Sequence, residues 1–180
     1  MTLKRRYCEA TPFSNFLDGV EANAGLWRSL ARRAEVTGDV VERVRALGQR
    51  WHLLVLAEDW CGDAVNTLPV LAKLADVADN LDLRILSRDA NPDLMDSHRA
   101  PNGARAVPVV IALDADFVER GFWGSRPSPL KTWVESEGMS MPKEERYREI
   151  RRWYARDRGA TTLDEIVGLL ESGAINRRAA

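Results

Sequence analysis

A junction between an apolar run and a helical pattern, within residues 51–69, limits the folds open to this chain more than any other stretch. Residues 53–57 form an uninterrupted apolar run, short enough for a buried strand. A polar loop containing Cys61 follows. Apolar residues then return at helical spacing, at Val65, Leu68, Val70, Leu71 and Leu74. Because unpaired N–H groups and the dipole of a helix N-terminus favour an anion, a thiol there ionises more readily. The junction therefore predicts a nucleophilic thiol on an α/β scaffold.

The rest of the chain contains further predicted helices and strands, and their order along the sequence is that of an α/β fold. The predicted helical segments are residues 10–49 with a break at 37–39, a helix that follows Cys61 and ends near residue 79, and residues 94–99, 130–137, 142–158 and 162–170. The predicted strands are residues 53–57, 81–87, 109–113 and 117–123, the last two joined by a turn at residues 114–116. Two parallel strands joined by a helix, followed by a hairpin at the sheet edge, form a compact α/β sandwich.

Length and composition fit one globular domain with helical additions. The chain has 180 residues, of which 45% are hydrophobic and 29% are charged, and these are ordinary values for such a domain. We expect a single domain over residues 1–180. Within it, residues 1–49 form an N-terminal helical extension, residues 50–137 an α/β core, and residues 138–180 a C-terminal helical extension.

Charge and cysteine content narrow the expected partners and compartment. The formal net charge of −1 gives no electrostatic reason to expect nucleic acid or an anionic membrane as a partner. No apolar run approaches the roughly 20 residues needed to span a bilayer. The basic N-terminus lacks an apolar segment behind it and is a poor secretory signal. Two distant cysteines, Cys8 and Cys61, are not a disulfide framework, so we expect a reducing cytoplasm.

Residues 60–64 read Trp-Cys-Gly-Asp-Ala and resemble the Trp-Cys-Gly-Pro-Cys loop of the thioredoxin family, which also joins a strand to a helix. Three further features stand where that family has them. Pro69 lies eight positions after the cysteine. Pro108 follows Arg-Ala-Val and opens an apolar run, as the family's cis-proline does, and Gly124 lies sixteen positions later. The resemblance covers residues 50–137 and implies a thioredoxin-like fold, with a central mixed sheet flanked by helices.

Two departures from the family pattern affect the expected chemistry. Ala64 replaces the second cysteine of the C-x-x-C motif, so no resolving thiol lies one helical turn from Cys61. Val55, six residues before Cys61, replaces the buried aspartate that the family associates with proton transfer during attack by the second cysteine. The resemblance therefore implies that ordinary dithiol exchange is absent or badly impaired. The helical extensions resemble those of a bacterial branch of the family.

Cys61 is the predicted catalytic residue, and its structural alternative is a small buried apolar side chain left in a retired site. By the resemblance, Trp60, Gly62, Val107 and Pro108 are the predicted substrate contacts, because the family's backbone before the cis-proline pairs with extended peptides. A simple packing role is the alternative for Trp60. An ordinary trans-proline at the start of an edge strand is the alternative for Pro108.

Carboxylates near the thiol are candidate tuning groups. Asp59 and Asp63, together with Glu58, would raise the pKa of Cys61 by repulsion, against the effect of the helix terminus. Capping of the helix by Asp63 is an equally strong structural alternative. The sequence leaves open which of these effects prevails.

The remaining thiol and histidines give no second site. Cys8 is a candidate distant resolving thiol, although a single unplaced cysteine is more often only a side chain. His52 and His98 do not stand at metal-ligand spacing with the cysteines. We therefore assign no metal site and expect no cofactor.

Two functions remain open from the sequence. In the first, the chain is a cytoplasmic thioredoxin-like thiol–disulfide oxidoreductase that forms mixed disulfides through Cys61 alone, with a protein or with a low-molecular-weight thiol such as glutathione. In the second, redox turnover is lost and the cis-proline groove binds a peptide or protein partner. Rapid alkylation of Cys61 at neutral pH is expected of the first function, and slow alkylation of the second. A homodimer joined through Cys61 is a further candidate state.

Overall fold

The structure is a computed structural model that describes the backbone of residues 1–178 and the side chains of residues 1–177. Its helices are α1 (Leu3–Glu9), α2 (Phe13–Gly19), α3 (Ala24–Arg33), α4 (Gly38–Arg45), α5 (Gly62–Val77), α6 (Pro92–Ser97), α7 (Ser128–Ser136), α8 (Lys143–Asp157) and α9 (Ala160–Arg178), with a short 3-10 helix at Gly138–Ser140. Its strands are β1 (Thr11–Pro12), β2 (Trp51–Ala57), β3 (Leu81–Ser87), β4 (Val109–Leu113) and β5 (Glu119–Gly124). Among the described residues, no helix is both long and apolar enough to cross a membrane.

The five strands form one mixed sheet in the order β1-β3-β2-β4-β5. β2 and β3 run parallel and are connected by α5, whereas the other neighbouring pairs are antiparallel. Every residue of β2 is buried, as an uninterrupted apolar run predicts for a central strand. The predicted α/β architecture, with a central mixed sheet and flanking helices, is therefore confirmed.

The N-terminal segment is less helical than expected. The prediction of helix over residues 10–49, with one break, is wrong at Thr11–Pro12, which pair antiparallel with Ile85 and Arg84 of β3. Two residues are too few to produce a period of two in the sequence. A proline is tolerated at this position because β1 lies at the edge of the sheet.

The predicted turn at residues 114–116 joins β4 to β5, and the fully buried Asp114 organises it. Its Oδ1 accepts hydrogen bonds from the backbone N–H groups of Asp116 (2.9 Å) and Val118 (3.0 Å). The returning strand therefore begins at Glu119, two residues later than predicted, because the residues before it belong to this hydrogen-bonded turn.

The C-terminal helices pack in two places. α9 contributes to the main core with Leu163, Ile166, Val167 and Leu170. α7 and α8 form a separate small apolar cluster of Leu130, Val134, Ile150 and Tyr154. Glu165 of α9 accepts hydrogen bonds from Trp123 Nε1 (2.6 Å) and from the Ser128 backbone N–H (2.8 Å). These bonds fix the end of β5 and the start of α7, which border the site described next.

Candidate functional site

Cys61 lies at the end of the loop after β2 and is the N-cap residue of α5. Its Sγ accepts a hydrogen bond from the Ala64 backbone N–H (3.5 Å). The same thiol donates to the Val107 carbonyl oxygen, at 3.2 Å. Only 7% of Cys61 is exposed. The strand, loop and helix therefore bring the cysteine against the segment that precedes β4, as the resemblance implied.

Burial raises the pKa of the Cys61 thiol above its ordinary value, and the charge of Asp63 raises it further. The backbone N–H groups of Ala64 and Asp63 and the Arg126 guanidinium lower the pKa, but they do not offset burial. The helix terminus alone would favour the thiolate. The sequence left open which of the opposing effects prevails; burial and the charge of Asp63 outweigh the helix terminus, so Cys61 is a protonated hydrogen-bond donor at neutral pH.

The segment facing Cys61 contains the proline singled out in the sequence. The peptide bond between Val107 and Pro108 is cis, and Val107 is buried. Gly124, at the end of β5, pairs with Val109. A Cβ atom at Gly124 would lie 2.6 Å from the Pro108 carbonyl oxygen. The close approach of β5 to this proline therefore requires a glycine.

We expect Gly124→Ala to lower the free energy of unfolding by about 1–3 kcal/mol, because the added methyl group overlaps backbone atoms that cannot move independently of the sheet. Urea unfolding followed by circular dichroism measures the change. Gly168→Ala in α9 is the matched control, since nothing lies within 4 Å of its Cβ position, and it should stabilise the protein by about 0.5–1 kcal/mol. Equal stability of Gly124→Ala and wild type would contradict this close contact.

A buried ion pair stands beside the thiol. Asp63 is 8% exposed, and its two carboxylate oxygens accept hydrogen bonds from Arg126, at 2.9 Å from Nε and 2.7 Å from Nη2. Tyr154 Oη donates to the same carboxylate, at 2.9 Å. We call Asp63, Arg126 and Tyr154 the carboxylate cluster. It joins α5, the segment after β5, and α8.

The contacts of Asp63 show that the predicted helix cap is wrong, and they set the charge of Arg126 and Tyr154. Asp63 does not cap α5, because its carboxylate is directed at Arg126 and Tyr154 and Cys61 occupies the cap position. Burial lowers the pKa of Arg126, but the charge of Asp63, its hydrogen bond with the guanidinium and the neighbouring Tyr154 and Cys61 together outweigh burial, and the pKa is raised. Burial also raises the pKa of Tyr154, and the carboxylate raises it further. The cluster therefore holds one anion, one cation and one neutral hydroxyl group.

Asp59 holds the loop in place, and it is not the carboxylate that tunes the thiol. Its Oδ2 accepts hydrogen bonds from the backbone N–H groups of Glu21 (3.0 Å) and Ala22 (2.9 Å). Its carbonyl oxygen accepts from Trp27 Nε1, at 2.8 Å. The proposed tuning role is thus corrected: Asp59 attaches the loop to the α2–α3 connection, while Asp63 supplies the charge that acts on Cys61.

The other residues flanking the thiol differ in exposure. Trp60 is 51% exposed, and the guanidinium of Arg88 lies 5.0 Å from its ring centroid, so it is not a core packing residue. Gly62 is the first residue of α5, and a Cβ atom there would meet nothing within 4 Å. Glu58 accepts hydrogen bonds from Ser87 Oγ (2.8 Å) and from the Asp89 N–H (3.0 Å). Asp59 therefore attaches the loop before the thiol to the α2–α3 connection, and Glu58 attaches it to the end of β3. Trp60, between them and Cys61, faces solvent.

The second cysteine and the histidines stand apart from this arrangement. Cys8 is exposed, Cys61 is buried, and both are free thiols. His52 stacks on Phe117, with ring centroids 4.3 Å apart. His98 contacts Glu119 through Nε2, at 3.1 Å. In the part of the chain that the structure describes, no three or more His, Cys, Asp or Glu residues are grouped as metal ligands.

Comparison with known proteins agrees with this geometry. A family model described as thioredoxin matches residues 10–153. No curated protein sequence matches the chain. The crystal structure of a protein of unknown function from Pseudomonas aeruginosa is similar, with a TM-score of 0.76 and 19% identity over 95% of this chain and 98% of that one. An HIV epitope scaffold is similar as well, with a TM-score of 0.73 and 20% identity over the same shares. At these identities the two structures support the fold alone.

Proposed function

Because this chain belongs to the thioredoxin family, we propose that it exchanges disulfides through Cys61 alone and holds its partner as a long-lived mixed disulfide. The observation that carries this proposal is the position of the Cys61 thiol, 3.2 Å from the Val107 carbonyl oxygen beside a cis-proline. Ala64, which is fully buried, occupies the place of a resolving thiol. The proposed site thus has an attacking sulfur and lacks the group that would release the product.

The proposed step needs no further oxidant or reductant. The Cys61 thiolate attacks one sulfur of a partner disulfide, the partner's S–S bond breaks, and a new S–S bond forms to Cys61. The proton that Cys61 loses is balanced by protonation of the leaving thiolate. A second thiol must come from another molecule to reverse the exchange, because position 64 is an alanine.

The raised pKa of Cys61 supports a slow but persistent exchange. Little thiolate is present at neutral pH, so attack is slow. A thiolate of high pKa is also a poor leaving group, which slows release of Cys61 from the mixed disulfide. Both effects favour a protein that retains its partner over a catalyst with rapid turnover.

We further propose the nature of the partner and compartment. An extended peptide or a low-molecular-weight disulfide, with glutathione as a candidate, would lie along the buried Val107, bordered by Trp60 and Gly62. Two free cysteines are consistent with a reducing compartment, for which we propose the cytoplasm. A homodimer joined by a disulfide between two Cys61 residues would form by the same exchange, with a second copy of the chain as the partner.

A second candidate function is non-covalent binding of a peptide in the cis-proline groove. It is favoured by two observations: the hydrogen bond from the buried neutral thiol to the Val107 carbonyl oxygen, and the raised pKa of Cys61, since slow alkylation at neutral pH is the behaviour expected of this function. In this alternative, Cys61 is a structural donor and never forms a bond to the partner. Serine at position 61 would then preserve binding.

Mass spectrometry of the intact protein distinguishes the two functions. In Cys8→Ser, which lacks the exposed thiol, incubation with glutathione disulfide at about pH 8, near the ordinary pKa of cysteine, should give a single glutathione adduct on Cys61 that persists after the disulfide is removed. Cys8→Ser/Cys61→Ser is the matched control that should carry no adduct. Absence of any Cys61 adduct with unchanged peptide binding in Cys61→Ser would exclude the first function and support the second.

A further inference from the structure

We propose that a pocket lined by Ala106 and Val109, on either side of the cis-proline segment, selects low-molecular-weight disulfides that carry carboxylate groups. This inference rests on the proposed exchange at Cys61 and names its substrate class. The pocket has a volume of about 290 Å³ and lies between the loop after α6, the outer strand β5 and the start of α7. Arg99, Arg126 and Lys131 contribute to its lining, and no Asp or Glu does.

The positive charge of this pocket is only partly neutralised. Lys131 is half-buried and forms no ion pair or side-chain hydrogen bond with the described residues. Arg99 shares the carboxylate of Asp96 with Arg105, so two guanidinium groups face one carboxylate. Arg126 is balanced by Asp63. Lys131 is therefore a cation of the lining that no carboxylate of the described residues pairs with, and it would attract an anionic group of a ligand.

The nearest carboxylates outside the lining are already bonded within the protein. Glu119 Oε1 lies 3.1 Å from Nε2 of His98, a residue that lines the pocket. Glu165 accepts from Trp123 and from the backbone of Ser128. Both carboxylates thus contact groups other than Lys131, which none of the described carboxylates pairs with.

Two contacts connect the pocket to the thiol. Arg126 lines the pocket and also binds Asp63, the residue two positions after Cys61. Gly124 lines it as well, and the Cβ position of Gly124 lies 2.6 Å from the Pro108 carbonyl oxygen. The pocket lining therefore shares Arg126 with the surroundings of the thiol and Gly124 with those of the cis-proline. A disulfide reacting at Cys61 would direct one arm into it.

The pocket also has an apolar wall that suits the carbon chain of such a molecule. Phe122 is 44% exposed, and its ring meets the edge of His98 at a centroid distance of 4.9 Å. Val109 lies at the base of the same pocket. An aliphatic arm would cover these side chains while its carboxylate reaches Lys131. A cavity of this size is near the lower limit of small-molecule sites, which fits a short disulfide.

The experiment compares three aliphatic disulfides of different charge: dithiodipropionate (anionic), hydroxyethyl disulfide (neutral) and cystamine (cationic). For each, the rate of mixed-disulfide formation is measured in wild type, Lys131→Glu and the control Lys143→Glu, which alters an exposed lysine outside the pocket. Relative to the neutral disulfide, we expect Lys131→Glu to slow the reaction with dithiodipropionate about tenfold and to accelerate that with cystamine. The control should change both ratios less than about twofold.

A binding measurement separates failure of this inference from failure of the proposed function. Dithiodipropionate is titrated into Cys61→Ser, and NMR shift changes are followed at the pocket residues in that protein and in Cys61→Ser/Lys131→Gln. Binding that Lys131→Gln removes, without reaction of wild type with any disulfide, would support the pocket and overturn the exchange at Cys61. Reaction with all three disulfides in ratios that Lys131→Glu leaves unchanged, without binding, would overturn the pocket and leave the exchange standing.

Discussion

Wild-type protein is expected to give no catalytic reduction of insulin disulfides above the background of dithiothreitol, whereas Ala64→Cys is expected to gain this activity. Ala64 lies in the first turn of α5, and its N–H group points at the Cys61 sulfur, 3.5 Å away. A thiol on that residue would be placed one helical turn from Cys61. It could then attack the mixed disulfide internally, at an effective concentration that no external thiol reaches.

The gain is expected to be large, because release of the partner changes from a bimolecular to an intramolecular step. We expect turnover in Ala64→Cys at least about a hundredfold above the wild-type signal. Val55 limits the gain, since it is fully buried in the centre of β2 and supplies no carboxylate for the proton transfer associated with the family.

Two variants control for effects other than the new thiol. Ala64→Ser has nearly the same size and should remain inactive, and Cys61→Ser/Ala64→Cys should be inactive because the attacking sulfur is missing. Robust turnover by wild type with dithiothreitol alone would contradict a mechanism limited to one cysteine. Turnover in the Cys61→Ser/Ala64→Cys protein would show that position 64, and not Cys61, is the attacking sulfur.

The fold could be predicted from the sequence because its signals are local. The buried run before Cys61 and the helical spacing after it fix the strand-to-helix junction, and both lie within residues 51–69. Thr11–Pro12 could not be recognised as a strand, because two residues carry no periodicity. Their place in the sheet depends on β3, which lies more than sixty residues away.

The chemistry of the site could be predicted only in part, because it depends on distant residues. Asp63 was identified as a charge beside the thiol, but its partners Arg126 and Tyr154 are 63 and 91 residues away. No sequence pattern joins residues at such separations. The sequence left the sign of the Cys61 pKa shift open for a related reason: burial is the largest cause, and burial is produced by tertiary packing.

The carboxylate cluster is expected to control both stability and thiol reactivity, with effects that can be separated. Among the described residues, Arg126→Met would leave the buried Asp63 carboxylate with Tyr154 as its one side-chain partner, and Asp63→Asn would leave Arg126 with no paired carboxylate. Each change should lower the free energy of unfolding by about 3–5 kcal/mol, the usual cost of breaking a buried ion pair from one side. The double variant should lose less than the sum of the two, because neither charge remains unpaired.

The same two substitutions should move the reactivity of Cys61 in opposite directions. Asp63 raises the pKa of the thiol and Arg126 lowers it, so Asp63→Asn should lower that pKa and Arg126→Met should raise it. Iodoacetamide alkylation of Cys61, followed in a Cys8→Ser background from about pH 6 to about pH 10, should rise with pH and reach half its maximal rate above the ordinary cysteine value of about 8.5. The midpoint should shift to lower pH in Asp63→Asn and to higher pH in Arg126→Met.

Opposite shifts are the result that simple loosening of the fold cannot produce. A destabilised protein exposes Cys61 more often, so loosening would accelerate alkylation in both variants. Tyr154→Phe is the matched control, because it removes one hydrogen bond to Asp63 and no charge. It should cost about 1 kcal/mol of stability and leave the alkylation midpoint nearly unchanged. If Asp63→Asn and Arg126→Met shift the midpoint in the same direction, the cluster acts on the thiol through packing, and the electrostatic account of Cys61 is wrong.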